Sequence, residues 1–127
     1  MNIAFLIGRL IFGGYFISAG INHFKNLNYM SGYVKSKGAP APKAAVAGTG
    51  VLLLLGGLSM FLGVLPLAGV ILLIIFLLGA SPQMHAFWKI QEPQARAMEK
   101  INFMKNMALL GALLMFLAIP TPWPFRW

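Results

Sequence analysis

The chain contains no cysteine, which excludes disulfides, thiol redox chemistry and thiolate metal sites built from its own residues. It is nearly as poor in acid, with two carboxylates, Glu92 and Glu99, in 127 residues. Small proton-coupled exporters of similar length depend on a carboxylate inside a span, and both acids here sit in or beside the third loop, so proton-coupled antiport finds no support. Charged residues of all kinds make up 9 %, against about a quarter in soluble domains. That is too few to give a water-facing surface to a chain that is 59 % hydrophobic. Lipid is the solvent this composition requires. Phosphate-binding loops, dinucleotide fingerprints and nucleophile elbows are missing too, and Gly48-Thr49-Gly50 lacks both the preceding strand and the later glycine of a fingerprint.

What is present is apolar length and positive charge. A length of 127 residues allows one domain, and four spans of roughly 20 residues each would occupy about 80 of them. The expectation is therefore an all-α integral membrane protein, one domain over 1–127. Four transmembrane helices, over about 3–22, 44–64, 66–81 and 101–119, would form an up-down antiparallel bundle with an interfacial segment before the fourth. Arg9 lies inside the first apolar run rather than ahead of it, which reads as a retained helix and not a cleaved signal peptide. From His23 to Lys43 the composition turns polar and loop-like, closing on Pro40 and Pro42, so the second span starts after them. A tight turn near Gly63 to Pro66 divides an apolar stretch too long for one span. The third span either takes in those turn residues or continues past Pro82 with a kink. Glu92 and Arg96 are spaced i, i+4 for an ion pair on an interfacial helix. The aromatic tail from Trp123 to Trp127 suits the membrane interface. Gly14 with Ser18, and Ala44 with Gly48, read as small-residue packing seams.

The formal charge of +8 would suggest nucleic acid in a soluble protein, yet no aromatic-basic reading surface is visible and an anionic membrane surface is the better partner. The first loop carries Lys25, Lys35, Lys37 and Lys43, and the region around the third carries Lys89, Arg96, Lys100 and Lys105. The other side offers only Arg126 and, some way inside the first span, Arg9. This bias puts both long loops in the cytoplasm and both termini outside.

Ionisable groups at membrane depth are costly and become site candidates by default. Arg9 shares a helix face with Gly13, Phe16, Gly20 and His23, where it either snorkels to nearby headgroups or contacts an anion within the bundle. At the opposite membrane face, where Asn22 ends the first helix, antiparallel topology gathers His23, His85, Trp88, Glu99, Asn102, Lys105 and Asn106, the candidate ligand-binding residues together with Arg9. Glu99, Asn102 and Asn106 make one polar stripe. Two readings follow: a polar pocket able to hold a quinone headgroup or an oxyanion, or a hydrogen-bonded clasp that ties helix ends and needs no ligand. No short ligand spacing such as His-x-x-x-His exists, so no metal site is expected, and no catalytic residue can be assigned.

The chain resembles the DoxX family of small bacterial and archaeal membrane proteins. The resemblance rests on Arg9 followed by the run to Ser18-Ala19-Gly20-Ile21-Asn22-His23-Phe24, a glycine-rich second span, the segment His85-Ala86-Phe87-Trp88, and the block from Asn102 to Gly111. It covers nearly the whole chain. It implies a four-helix protein of the bacterial or archaeal cytoplasmic (inner) membrane, in a family tied in some members to thiosulfate:quinone oxidoreductase and in others to membrane-associated oxidoreductase complexes of thiol and oxidative-stress balance. Without cysteine or a cofactor motif, electron transfer would use a bound quinone directly or a redox partner subunit. Expected partners are membrane lipid, that subunit and a second copy of the chain, with no nucleic acid. The alternative class is a non-enzymatic membrane protein whose basic loops bind lipid or a cytoplasmic partner. A transporter would need a dimer to enclose a pathway.

Overall fold

A computed structural model describes residues 2–125, Gln83 by its backbone alone. Among the described residues there is no strand. The helices are α1 (Asn2–Lys25), α2 (Leu27–Ser36), α3 (Pro42–Leu62), α4 (Pro66–Met84) and α5 (Pro93–Phe116), with a 3₁₀ turn at Phe87–Lys89 before the last. Three stretches are long and apolar enough to cross a membrane: Asn2–Lys25, Pro42–Leu62 and Pro66–Lys89. Only 22 %, 33 % and 29 % of their apolar windows is buried, so most of that apolar surface points outward. Ile3, Ile7 and Ile11 on α1, Val51, Leu55, Leu58 and Leu62 on α3, and Ile71, Ile75 and Leu78 on α4 are exposed at helical spacing. Contiguous stripes of this size belong in hydrocarbon.

Glycine sets how closely α1 and α3 approach. A Cβ on Gly13 would stand 2.8 Å from the Gly57 carbonyl oxygen, and one on Gly57 would stand 2.9 Å from the Ile17 nitrogen. One on Gly20 would meet Leu54 and one on Gly50 would meet His23 and Phe24. The seam thus runs through Gly13 and Gly20 against Gly57 and Gly50. Gly14 and Gly48 have open space around them, which corrects the expectation that those two mark the seams. The helix face expected from Arg9, Gly13, Phe16 and Gly20 is the one α1 buries.

The turn between α3 and α4 falls where Gly63 and Pro66 place it. Gly63 ends α3 with φ 71°, a left-handed position suited to glycine, and Pro66 opens α4 at a position where its missing N–H costs nothing. Ser59 Oγ donates to the Leu65 carbonyl at 2.9 Å and closes the turn. At its far end α4 runs through Pro82 to Met84, the longer of the two courses the sequence allows.

Three expectations need correction. The polar segment 23–43 contains α2, whose Leu27, Met30, Ser31 and Val34 face inward at i, i+3, i+4, i+7 while its lysine and most of its tyrosine surface stays out. The stretch from Pro93 to Lys100 is continuous with the fourth run and not a helix of its own: Glu92 accepts from the backbone N–H of Gln94 at 3.2 Å and of Ala95, and a single helix follows from Pro93. Glu92 therefore caps α5, and no salt bridge to Arg96 forms. The third concerns the tail. Trp123 is 1 % exposed, with Phe5 edge-on to it at 5.2 Å, so it closes the bundle core and does not lie on the interface. Arg126 and Trp127 are outside the described residues.

Candidate functional site

At one end of the bundle, where α1 and α4 finish and α3 starts, the helices do not fill the space between them. A cavity of about 630 Å³ remains, with walls from all five helices. Phe16 and Ala19 of α1, Leu52 and Leu53 of α3, Ile75, Phe76 and Leu77 of α4 and Leu109 of α5 make it mostly apolar, and Met30, Tyr33 and Val34 of α2 roof it. The polar groups that reach it are Tyr15, His23, Thr49, His85, Lys105 and Asn106.

Each of these is held by a local reason. Thr49 donates to the Ala45 carbonyl one turn back, at 2.7 Å, which leaves its oxygen free to accept. His23 Nδ1 lies 3.1 Å from the Val46 carbonyl and 3.2 Å from Thr49 Oγ1. Both are served only when the proton is on Nδ1, so a neutral His23 carries its acceptor lone pair on Nε2. Lys105 Nζ donates to the Tyr15 hydroxyl at 3.1 Å, bringing a cation from α5 to a point just past the middle of α1. Asn106 is buried one residue further along α5.

His85 belongs to the cavity wall and to a charged clasp behind it. Glu99 Oε2 accepts from His85 Nδ1 at 3.1 Å and faces Lys37 Nζ at 3.6 Å, while its other oxygen accepts from Asn102 Nδ2 at 3.3 Å. One carboxylate thus ties the end of α2, the end of α4 and the second turn of α5. Burial pushes the Glu99 carboxyl up, but the hydrogen bonds from His85 and Asn102 and the charges of His85 and Lys37 outweigh it and hold it below the ordinary carboxylate range.

Of the sequence-predicted residues, His23, His85, Lys105 and Asn106 line the cavity, and Glu99 and Asn102 hold His85 from behind. Trp88 is half exposed, beside Phe87 and Phe103, outside the cavity. Arg9 lies at the other end of the bundle. It is 2 % exposed and donates to the Pro124 carbonyl at 2.6 Å and the Phe125 carbonyl at 2.8 Å, with the Phe5 ring 5.8 Å from its guanidinium carbon. Two carbonyls of the chain's own tail thus accept hydrogen bonds from the guanidinium. Tyr15, Thr49 and the α2 roof escaped the sequence reading. Tyr15 and Thr49 sit inside apolar runs with nothing local to set them apart, whereas the spacing of Leu27, Met30, Ser31 and Val34 was a legible signal for α2. Among the described residues no three His, Asp or Glu gather to hold a metal ion.

Outward apolar stripes and a helical fold define a multi-pass membrane protein. The sequence profile of the DoxX family matches residues 4–86, and the chain belongs to that family. The match takes in Arg9, His23, Thr49 and His85 but ends before Asn102–Gly111, so that block does not share in it. Neither a curated protein nor a solved structure gives a significant match.

Proposed function

We propose that this DoxX-family protein is a membrane subunit of an oxidoreductase system and holds a quinone in the cavity between its helices. The cavity's division into apolar walls and a few converging polar groups carries this reading. A quinone has a flat ring with two hydrogen-bond acceptors and an isoprenoid tail. The Lys105 ammonium and the Tyr15 hydroxyl are donors suited to the head, and Phe16, Leu53, Phe76 and Leu109 are suited to the tail. When bound, a quinone supplies the electron-carrying chemistry that a chain without cysteine lacks; the chain's own residues bind it, orient it and exclude water.

In this reading the run over about 101–119, most of it in α5, is the fourth span. The end of α5 at Phe116 packs edge-on against Phe12 of α1 at 5.2 Å, level with the Arg9 end, while its start lies at the basic end. The eight Lys and Arg of the two loop regions then face the cytoplasm, with both termini outside.

The test is native mass measurement and thermal unfolding of the detergent-solubilised protein with and without a short-chain ubiquinone. A retained or added quinone that raises the midpoint, with the rise reduced in Tyr15→Phe and Lys105→Met, supports the reading. No retained quinone and an unchanged midpoint would sink it.

A further inference from the structure

On the outer side of the basic end, away from the cavity, the 3₁₀ turn and α5 build a second arrangement that the quinone reading does not use. Phe87, Trp88 and Phe103 form a triangle of edge-to-face rings, with centroids 5.3, 5.6 and 5.5 Å apart. Two cations from successive turns of α5 reach the same ring: the Arg96 guanidinium carbon is 6.0 Å and Lys100 Nζ 5.8 Å from the Phe87 centroid. Lys89 closes the same 3₁₀ turn. Both helix cations are exposed, and like charges drawn to one ring repel each other unless an anion lies between or beside them.

The chain has no acid to spare for that role. Its two carboxylates are Glu92, turned back to cap α5, and Glu99, engaged by Lys37, His85 and Asn102. Among the described residues neither Arg96 nor Lys100 has a carboxylate partner. Trp88 is 49 % exposed, and it lies at the end of the third apolar stretch, the depth at which indole rings sit among lipid headgroups.

We infer that Arg96 and Lys100, standing over the Phe87–Trp88–Phe103 platform, bind the phosphate of an anionic phospholipid, with the rings against the glycerol and upper acyl region. The guanidinium offers paired donors to phosphate oxygens, the ammonium adds a point charge, and the ring faces keep both cations in place. The charge complementarity is local, which separates this site from the general attraction of a basic loop to an acidic surface.

The experiment counts lipid retained per protein after purification from vesicles of phosphatidylcholine with one-fifth phosphatidylglycerol, and follows the unfolding midpoint as each short-chain lipid or inorganic phosphate is added. Wild-type protein should retain phosphatidylglycerol in preference to phosphatidylcholine, with a midpoint raised by the former and not by inorganic phosphate. The double variant Arg96→Gln, Lys100→Gln should lose retained phosphatidylglycerol at least fivefold. Lys25→Gln, Lys43→Gln, which removes the same charge from exposed positions on the same end, should lose less than twofold. Because all four positions are exposed, the variants should fold, and unchanged quinone binding in the first pair separates this outcome from the cavity reading. Equal losses in the two pairs would reduce the site to unspecific basicity and overturn the inference. So would a midpoint raised equally by inorganic phosphate, which would make it a free-anion site.

Discussion

The two ends of this bundle treat charge in opposite ways. At the Arg9 end one guanidinium is buried beside Phe5, whose ring packs on the buried Trp123, and backbone carbonyls of the tail accept hydrogen bonds from it. At the basic end charges are many and exposed, the helices part around a cavity, and the half-buried carboxylate of Glu99 is shared among three elements. A cation whose hydrogen bonds go to its own chain can be buried for a structural reason, so burial alone is a poor guide to function. Residues that line the cavity, and whose partners leave an atom unspent, are better candidates, as half-buried His23 and exposed Lys105 are.

The sharpest way to break this contrast is to remove the sealed charge. Arg9→Ala leaves two tail carbonyls without their donor and opens a void where the buried side chain lay, and should cost about 3 kcal/mol of stability, read as a lower unfolding midpoint in detergent and as proteolytic release of the tail. An unchanged midpoint would mean that the Arg9 end is not a closed core. Glycine seam substitutions divide the ends next. Gly57→Ala drives a methyl against the backbone of α1 and should cost about 2 kcal/mol. Gly50→Ala meets the Phe24 ring, which can turn away, and the His23 Cβ at 3.0 Å but no backbone atom, and should cost about half as much by the same reasoning. Equal costs would show that backbone approach is not what distinguishes the two levels of the seam.

Acid should act on one end alone. The Glu99 carboxyl binds its proton less tightly in the folded protein than in the unfolded chain, so its contribution is complete above the ordinary value of 4.5 and is lost as pH falls through the folded value. Hydrogen exchange at the end of α4 and the start of α5 should therefore quicken below that point while the backbone around Arg9 does not respond. Glu99→Gln should remove the response and cost about 1 kcal/mol at neutral pH, as expected for a partly screened network. The smallest effect on stability belongs to Lys105→Met, within about 0.5 kcal/mol. Its effect on quinone affinity should be far larger, about tenfold, or 1.4 kcal/mol, measured by the shift of midpoint with added ubiquinone. The reverse pattern would make Lys105 a structural residue.

The helices were largely legible because lipid imposes a coarse rule. Apolar runs bounded by Gly63, Pro66 and the Pro40–Pro42 pair end where hydrocarbon or helix geometry must end. Reading a stretch by its composition hid α2, whose amphipathic spacing is short and set among lysines, and the same habit separated Glu92–Lys100 from the helix it begins. The glycines were visible as a class, yet choosing Gly13, Gly20, Gly50 and Gly57 over Gly14 and Gly48 requires knowing which faces of α1 and α3 meet.

What the sequence determined by itself is a helical membrane protein with most of its cations gathered at one end and no cysteine or spare acid for chemistry, since composition and hydrophobic length decide the solvent. The tertiary structure decided which polar groups are spent and which are left over. Arg9 and Lys105 look alike as cations within apolar runs. One is bonded to carbonyls 115 and 116 positions away along the chain and the other reaches a hydroxyl on a cavity wall, and no local pattern contains either partner, because both come from packing between distant helices.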